Sequence, residues 1–135
     1  GKEVAAGLYD QGIDAIYTGA AASDIGVVEA ASELGKTVMV ASPPLVEQAP
    51  ANVGFVASFE WAQTMMIEVE NAVSADFQSG FRLGGISSGE IVMTFSDDHA
   101  AANPKAADAR AATEAAFEAI QSGAITVPYD ETEPQ

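Results

Sequence analysis

Apolar and small residues recur at helical spacing from the start of the chain. Val4, Ala5 and Leu8 share one face across residues 1–11, and Gly12 stops the pattern as a left-handed residue does at a helix end. Residues 13–18 are a short run of apolar and β-branched character that reads as a buried strand. A stretch of small residues, 19–24, follows, in which Ser23 or Asp24 can cap the next element. That element is a second helix with Ile25, Val28, Ala31 and Leu34 on one face, ending at Gly35. A second strand covers residues 36–42 and is broken by Pro43 and Pro44.

The alternation continues with a third strand over residues 52–58 and a long helix over 60–77, whose inward stripe is predicted as Met65, Met66, Val69, Val73 and Phe77. A fourth strand covers residues 91–95. An alanine-rich helix over 106–121, with Ala109, Thr113, Ala116 and Ile120 facing inward, is stopped by Gly123. Helices and strands alternating through short glycine-marked links predict an α/β fold, a three-layer sandwich with a mostly parallel sheet. A doubly wound domain usually begins in a strand, whereas this pattern begins in a helix, which points to a piece of a larger protein. Residues 1–128 are read as one lobe and 129–135 as an acidic tail.

At 135 residues the chain has the size of one domain, with room for one core but not for two lobes enclosing a solute. Charge changes the picture more. Twenty Asp and Glu against five Lys and Arg give a net charge of −15. The cations Lys2, Lys36, Arg82, Lys105 and Arg110 are scattered singly, so no basic stripe exists to release the counterions of a nucleic acid, and an anionic membrane surface is disfavoured for the same reason. Because the acidic residues are dispersed along the chain, their repulsion is relieved best where molar salt shortens the Debye length to about 3 Å, which predicts a high-salt source; an ordinary acidic protein is the alternative. The chain has no cysteine, hence neither a disulfide nor a thiolate metal site. It contains no apolar run of the ~20 residues that cross a bilayer, and its first residues carry no signal-peptide pattern.

In an open α/β sheet, ligands gather beyond the carboxyl ends of the strands. Four loops are candidates on that rule: residues 19–24, 42–44, 58–61 and 96–99. Gly19, Ala20 and Ala21 would let a ligand approach the backbone, or else form an ordinary tight turn. They lack the spacing of a dinucleotide or Walker fingerprint, so no cofactor is predicted. Trp61, the single tryptophan, can stack a sugar or base together with Phe59, or cover a core edge or an interface between lobes. Met65 and Met66 read as core packing. Asp97, Asp98 and His99 have the residue types of a magnesium or acid–base cluster, although adjacent loop residues seldom converge on one ion and a solvated loop explains them too. No nucleophilic catalytic arrangement is visible, and a non-enzymatic role is expected.

The order of several segments resembles the basic membrane protein family of solute-binding lipoproteins, which includes purine nucleoside receptors. Gly1-Lys2-Glu3 and residues 8–16, Leu-Tyr-Asp-Gln-Gly-Ile-Asp-Ala-Ile, are similar to the first helix and strand of that family's second lobe. Residues 19–24 and 26–31, closed by Gly35-Lys36, resemble its glycine-rich turn and following helix. Residues 52–58 leading into the helix from Glu60 resemble the strand and helix that carry its ligand contacts, and residues 123–128, Gly-Ala-Ile-Thr-Val-Pro, resemble its ending. The resemblance covers nearly the whole chain. It implies the carboxyl-terminal lobe of a type I periplasmic-binding-protein fold that captures a small polar solute, a nucleoside or sugar-like molecule, for an ABC permease.

The same resemblance implies an amino-terminal lobe as partner and a lipid anchor outside this chain at the extracellular face of the membrane. Ser42 stands where the family has an acidic residue that holds a ribose hydroxyl, and Ser96 near where it has a lysine, which implies a changed cargo. The candidate ligand-binding residues are therefore Gly19, Ala20, Ala21, Ser42, Phe59, Trp61, Ser96 and Asp97. A flavodoxin-like or receiver-like signalling domain using Asp97 and Asp98 with magnesium is the alternative, although the third strand ends in Ala57-Ser58-Phe59 where a receiver carries its phosphorylated aspartate. Self-association through the face of the absent lobe is a third possibility.

Overall fold

The computed structural model describes residues 1–77, 79–80 and 82–128; the acidic tail expected at 129–135 lies outside the described residues. The elements follow as α1 (Lys2–Asp10), β1 (Ala15–Thr18), α2 (Asp24–Leu34), β2 (Thr37–Val40), β3 (Val53–Phe59), α3 (Trp61–Ala72), β4 (Ile91–Phe95), α4 (Asp97–Ala102) and α5 (Ala107–Gln121). Short 3₁₀ segments occupy Ala21–Ser23, Pro43–Gln48 and Pro104–Ala106. The four strands form one sheet in the order β1-β2-β3-β4, with β1, β2 and β3 parallel and β4 antiparallel to β3. The fold is α/β with a mostly parallel sheet between helical layers, as the alternation of patterns predicts.

Side-chain alternation along the strands separates the two faces of the sheet. Ile16, Val38, Val40, Val53 and Val56 turn to one face, where they meet Ala5 and Tyr9 of α1 and Val27, Val28, Ala30 and Ala31 of α2. A register shift lets Val53 pair with Val38 and Val56 with Val40, so that β3 keeps both valines on the core side despite their odd spacing. The Tyr9 hydroxyl donates to the Thr37 carbonyl at 3.0 Å, and Asn52 Nδ2 donates to the carbonyls of Ala31 and Lys36, fixing the end of α2 to the sheet. Gly35 closes α2 at φ 62°, the left-handed region in which glycine lacks the usual steric penalty. A Cβ on Gly26 would lie 2.7 Å from the backbone nitrogen of Lys2, so the close crossing of α1 over α2 depends on that glycine.

The second face carries Ala15, Thr37, Met39, Phe55 and Phe95, and α4 and α5 lie across it. The Arg110 guanidinium stands 5.4 Å from the Phe95 ring centroid, joining α5 to the sheet by a cation–π contact. In α5 the half-buried positions are Arg110, Thr113, Glu114, Phe117, Ala119 and Ile120, while Ala109 and Ala116 are exposed. Thr113 and Ile120 of the predicted stripe are thus on the packed side, while Arg110 and Phe117 replace Ala109 and Ala116 there, because the longer side chains have more surface to bury than the alanines beside them.

Two further expectations are corrected. β1 is an edge strand, with Tyr17 57% exposed, so it is not a fully buried strand. The helix expected over residues 60–77 ends at Ala72, and Met65, Met66, Val69, Val73 and Phe77 all face solvent. The half-buried side of α3 is Thr64, Ile67 and Asn71. Periodicity marks the helix correctly but assigns its apolar stripe to a core that does not form there.

Candidate functional site

Six of the eight residues proposed for ligand contact fall at one end of the sheet, beyond the carboxyl termini of β1, β2 and β3. Gly19, Ala20 and Ala21 follow β1 directly, Ser42 follows β2, Phe59 closes β3 and Trp61 opens α3. All six are exposed. Together they form an open surface.

The first loop is braced from below. Asp24 is 3% exposed, and its Oδ1 accepts hydrogen bonds from the Thr18 hydroxyl at 2.6 Å and from the Ala20 backbone N–H at 2.7 Å. Asp24 thus holds the turn before α2, while Ser23 makes no side-chain cap. Ala21 adopts φ 54°, alone in positive φ among the described non-glycine residues. An L-residue there carries a steric cost of about 1–2 kcal/mol, offset by the Asp24 bonds to Thr18 and Ala20 just before it. Such a shape presents the backbone of residues 19–21 with almost no side-chain cover.

Phe59 and Trp61 form the aromatic side of this surface. Their ring centroids are 5.5 Å apart at 33°, and they are 52% and 68% exposed. Exposed rings in contact with each other offer a flat apolar face to the ring of a solute.

A group that local sequence does not signal lies at the same end. Phe59 pairs with Ile91, so Glu90, the residue before β4, stands beside the carboxyl end of β3, and its carbonyl accepts the Glu60 N–H at 2.8 Å. The Glu90 carboxylate is almost fully buried and receives a bidentate pair of bonds from Arg82, at 2.8 and 2.7 Å, as well as the Ser88 hydroxyl. Arg82 and then Ser88 hold its carboxyl down at about pKa 2. Arg82 also bonds Glu68 of α3 at 2.6 Å, so this cluster ties α3 and the segment before β4 to the sheet. A Cβ on Gly84 would overlap the Glu90 carboxylate, and glycine there lets the chain close over it.

Ser96 and Asp97 do not join the other six. Because β4 runs antiparallel to β3, with Phe95 opposite Phe55, its carboxyl end lies at the amino-terminal end of the parallel strands. Ser96 there donates its N–H to Gly54 and its hydroxyl to Pro50, and Asp97 pairs with Arg110 at 2.8 Å. The five-residue step from Gly54 to Phe59 separates them from the aromatic pair by roughly 16 Å at about 3.3 Å per residue. The rule that loops gather at strand carboxyl ends fails for β4 because it presumes a common strand direction.

The Asp97-Asp98-His99 run also diverges. Asp97 turns to Arg110, Asp98 is exposed, and His99 is buried with its Nε2 3.0 Å from the Thr37 hydroxyl. Burial lowers the pKa of His99, favouring the neutral ring. Among the described residues no group of three or more His, Asp or Glu side chains is placed to hold a metal ion.

The chain matches no protein-family model and no curated protein.

Proposed function

We propose that the chain is one lobe of a solute-binding protein serving an ABC importer, and that the surface formed by Gly19, Ala20, Ala21, Ser42, Phe59 and Trp61 is its half of the ligand cleft. The exposed Phe59–Trp61 pair, at the same end of the sheet as the bare, braced loop at residues 19–21, carries this reading. A nucleoside or sugar ring would lie on the aromatic faces, while the loop backbone and the Ser42 hydroxyl supply hydrogen bonds to its polar edge. The reading is non-catalytic. A second lobe would close over the solute by hinge motion and the closed form would be recognised by the permease, at the outer face of the membrane and tethered by a segment outside this chain.

With only half of the desolvating contacts, the lobe alone binds weakly, at about the millimolar level that corresponds to roughly −4 kcal/mol. The single tryptophan makes the test direct. Nucleosides or sugars at millimolar concentration should change Trp61 emission saturably, and Trp61→Phe should abolish the signal and weaken binding measured by calorimetry. A panel that leaves Trp61 unaffected, or a member bound at submicromolar affinity by the lobe alone, overturns the reading.

The charge distribution supports a high-salt habitat as part of the same proposal. Lys2, Lys36, Arg82 and Arg110 are each ion-paired in the described structure, between them taking up seven of the twenty acidic groups. Added salt costs little at these pairs, since the exposed ones contribute little and the buried Arg82–Glu90 pair is poorly screened, but it screens the much larger excess of negative charge. The melting temperature should therefore rise from dilute buffer to multimolar KCl; an unchanged or falling value removes the high-salt assignment.

A further inference from the structure

A cavity of about 370 Å³ lies at the opposite end of the sheet from the loops above, between the second sheet face and the helices α4 and α5. It exists because side chains there are small: Gly54 in the floor, and Ala100, Ala106 and Ala109 in the helical wall. Apolar cavities of about 150 Å³ already admit a benzene ring. Met39, Phe55 and Phe95 give this one an apolar, aromatic lining, with the two phenyl rings 5.9 Å apart and inclined at 55°.

The charged groups at its rim are already paired. Arg110 bonds Asp97 and Glu114, and Asp14 bonds Lys36 at 2.6 Å, so no unpaired charge among these groups draws an ion inward. The polar group left to a guest is His99, which is 6% exposed. Its Nε2 is shared with the Thr37 hydroxyl, while its Nδ1 has no hydrogen-bond partner among the described residues. Among the described residues no fully occluded side-chain nitrogen or oxygen lacks a partner, so Nδ1 keeps some exposed surface, and it lies 3.7 Å from where a Cβ on Gly54, in the cavity floor, would stand.

We propose that this cavity is a second binding site, for a small neutral aromatic alcohol whose ring packs on Phe55 and Phe95 and whose hydroxyl meets His99 Nδ1. A neutral imidazole presents one N–H and one lone pair, and the Thr37 hydroxyl can serve either at Nε2, so Nδ1 is a donor or an acceptor according to the tautomer. A hydroxyl satisfies both cases. A carboxylate only accepts, and it would carry a charge into apolar surroundings at a large desolvation cost. The site is independent of the solute surface, from which the length of β3 separates it.

Phenol tests the proposal on the intact chain, because one histidine and one tryptophan report on opposite ends of the sheet. Phenol should shift the His99 imidazole resonances saturably while the Trp61 indole resonance stays fixed. Toluene, with the same ring and no hydroxyl, should bind about tenfold more weakly, the loss expected of one buried hydrogen bond. Ala106→Leu fills the cavity and should weaken phenol by at least about tenfold. Ala100→Leu, at a half-buried position of the α4 wall, serves as the second filling variant if the first disturbs folding. A His99 signal that fails to saturate, toluene binding as well as phenol, or phenol affinity retained in the filled protein would each overturn the assignment.

Discussion

The helices α2 and α3 are nearly equal in length, eleven and twelve residues, and each carries apolar residues at helical spacing, yet α2 buries five residues and α3 none. The contrast extends beyond the two helices. Every buried hydrophobic residue among those described lies at or before Val56, in α1, α2, β2, β3, the Pro43–Gln48 turn and Ala49 just after it. After it, Trp61, Met65, Met66, Val69, Val73, Phe77 and Leu83 remain at least half exposed. α2 has a helix beside it and a sheet beneath it, whereas α3 is held to the sheet through polar links, Arg82 to Glu68 and Glu90, on its less apolar side. Amphipathic period creates a helix with one sticky face, but burial requires a second surface to receive it.

The sharpest way to break this comparison is to truncate side chains in the packed half. Leu45→Ala should destabilise the chain by about 2–5 kcal/mol, the range for a buried leucine, as read by denaturant unfolding. A cost under about 1 kcal/mol would mean that the α1–α2 layer is not the stabilising core. Asp24→Ala should come next, at about 1–3 kcal/mol, since it leaves the Thr18 hydroxyl and the Ala20 N–H without their acceptor. The same substitution should release the left-handed conformation of Ala21, visible as faster amide exchange across residues 19–21.

Acid probes the polar attachment of the other half. Glu90 has its carboxyl lowered from an ordinary 4.5 to about 2 by Arg82, so the unfolded chain takes up a proton first as pH falls. Its contribution to stability is complete above about pH 4.5 and is lost between there and about pH 2. Glu90→Gln should lower the melting temperature at neutral pH and converge on the parent at the acid end of that window. Parallel curves through the window would show that the Arg82 pair does not anchor this segment.

The smallest effect should come from α3 itself. Met66→Ala and Val69→Ala remove exposed side chains and should change stability by no more than about 0.5 kcal/mol. A cost above about 2 kcal/mol for either would mean that this face is covered in solution, and would erase the difference between the two helices.

Much of the architecture was legible in the sequence because secondary structure depends on local period and on breakers. Local pattern marks β4 at its true limits and α5 to within one residue, and Gly35 marks the end of α2. The solute surface was legible in part, since Gly19, Ala20, Ala21, Ser42, Phe59 and Trp61 follow strands that run the same way. Asp24 appeared only as a possible cap, and its role in bracing the turn depends on where Thr18 and Ala20 come to rest around it. Glu90 gave no signal, because its partner Arg82 lies eight residues away across an irregular segment.

The sequence alone determined the order and kind of the elements other than α4, whose residues 97–99 it reads as loop, together with the single-domain size, the charge of −15 and the absence of cysteine chemistry, since each follows from composition or from neighbours within a turn or two of chain. Only the tertiary structure decided that β4 reverses and carries Ser96 and Asp97 to the far end of the sheet, that His99 turns inward beneath α5, and that the apolar stripe of α3 meets no core. Strand direction and the partner of a helix face are set by contacts between residues distant in the chain, and no local pattern records which surfaces will meet.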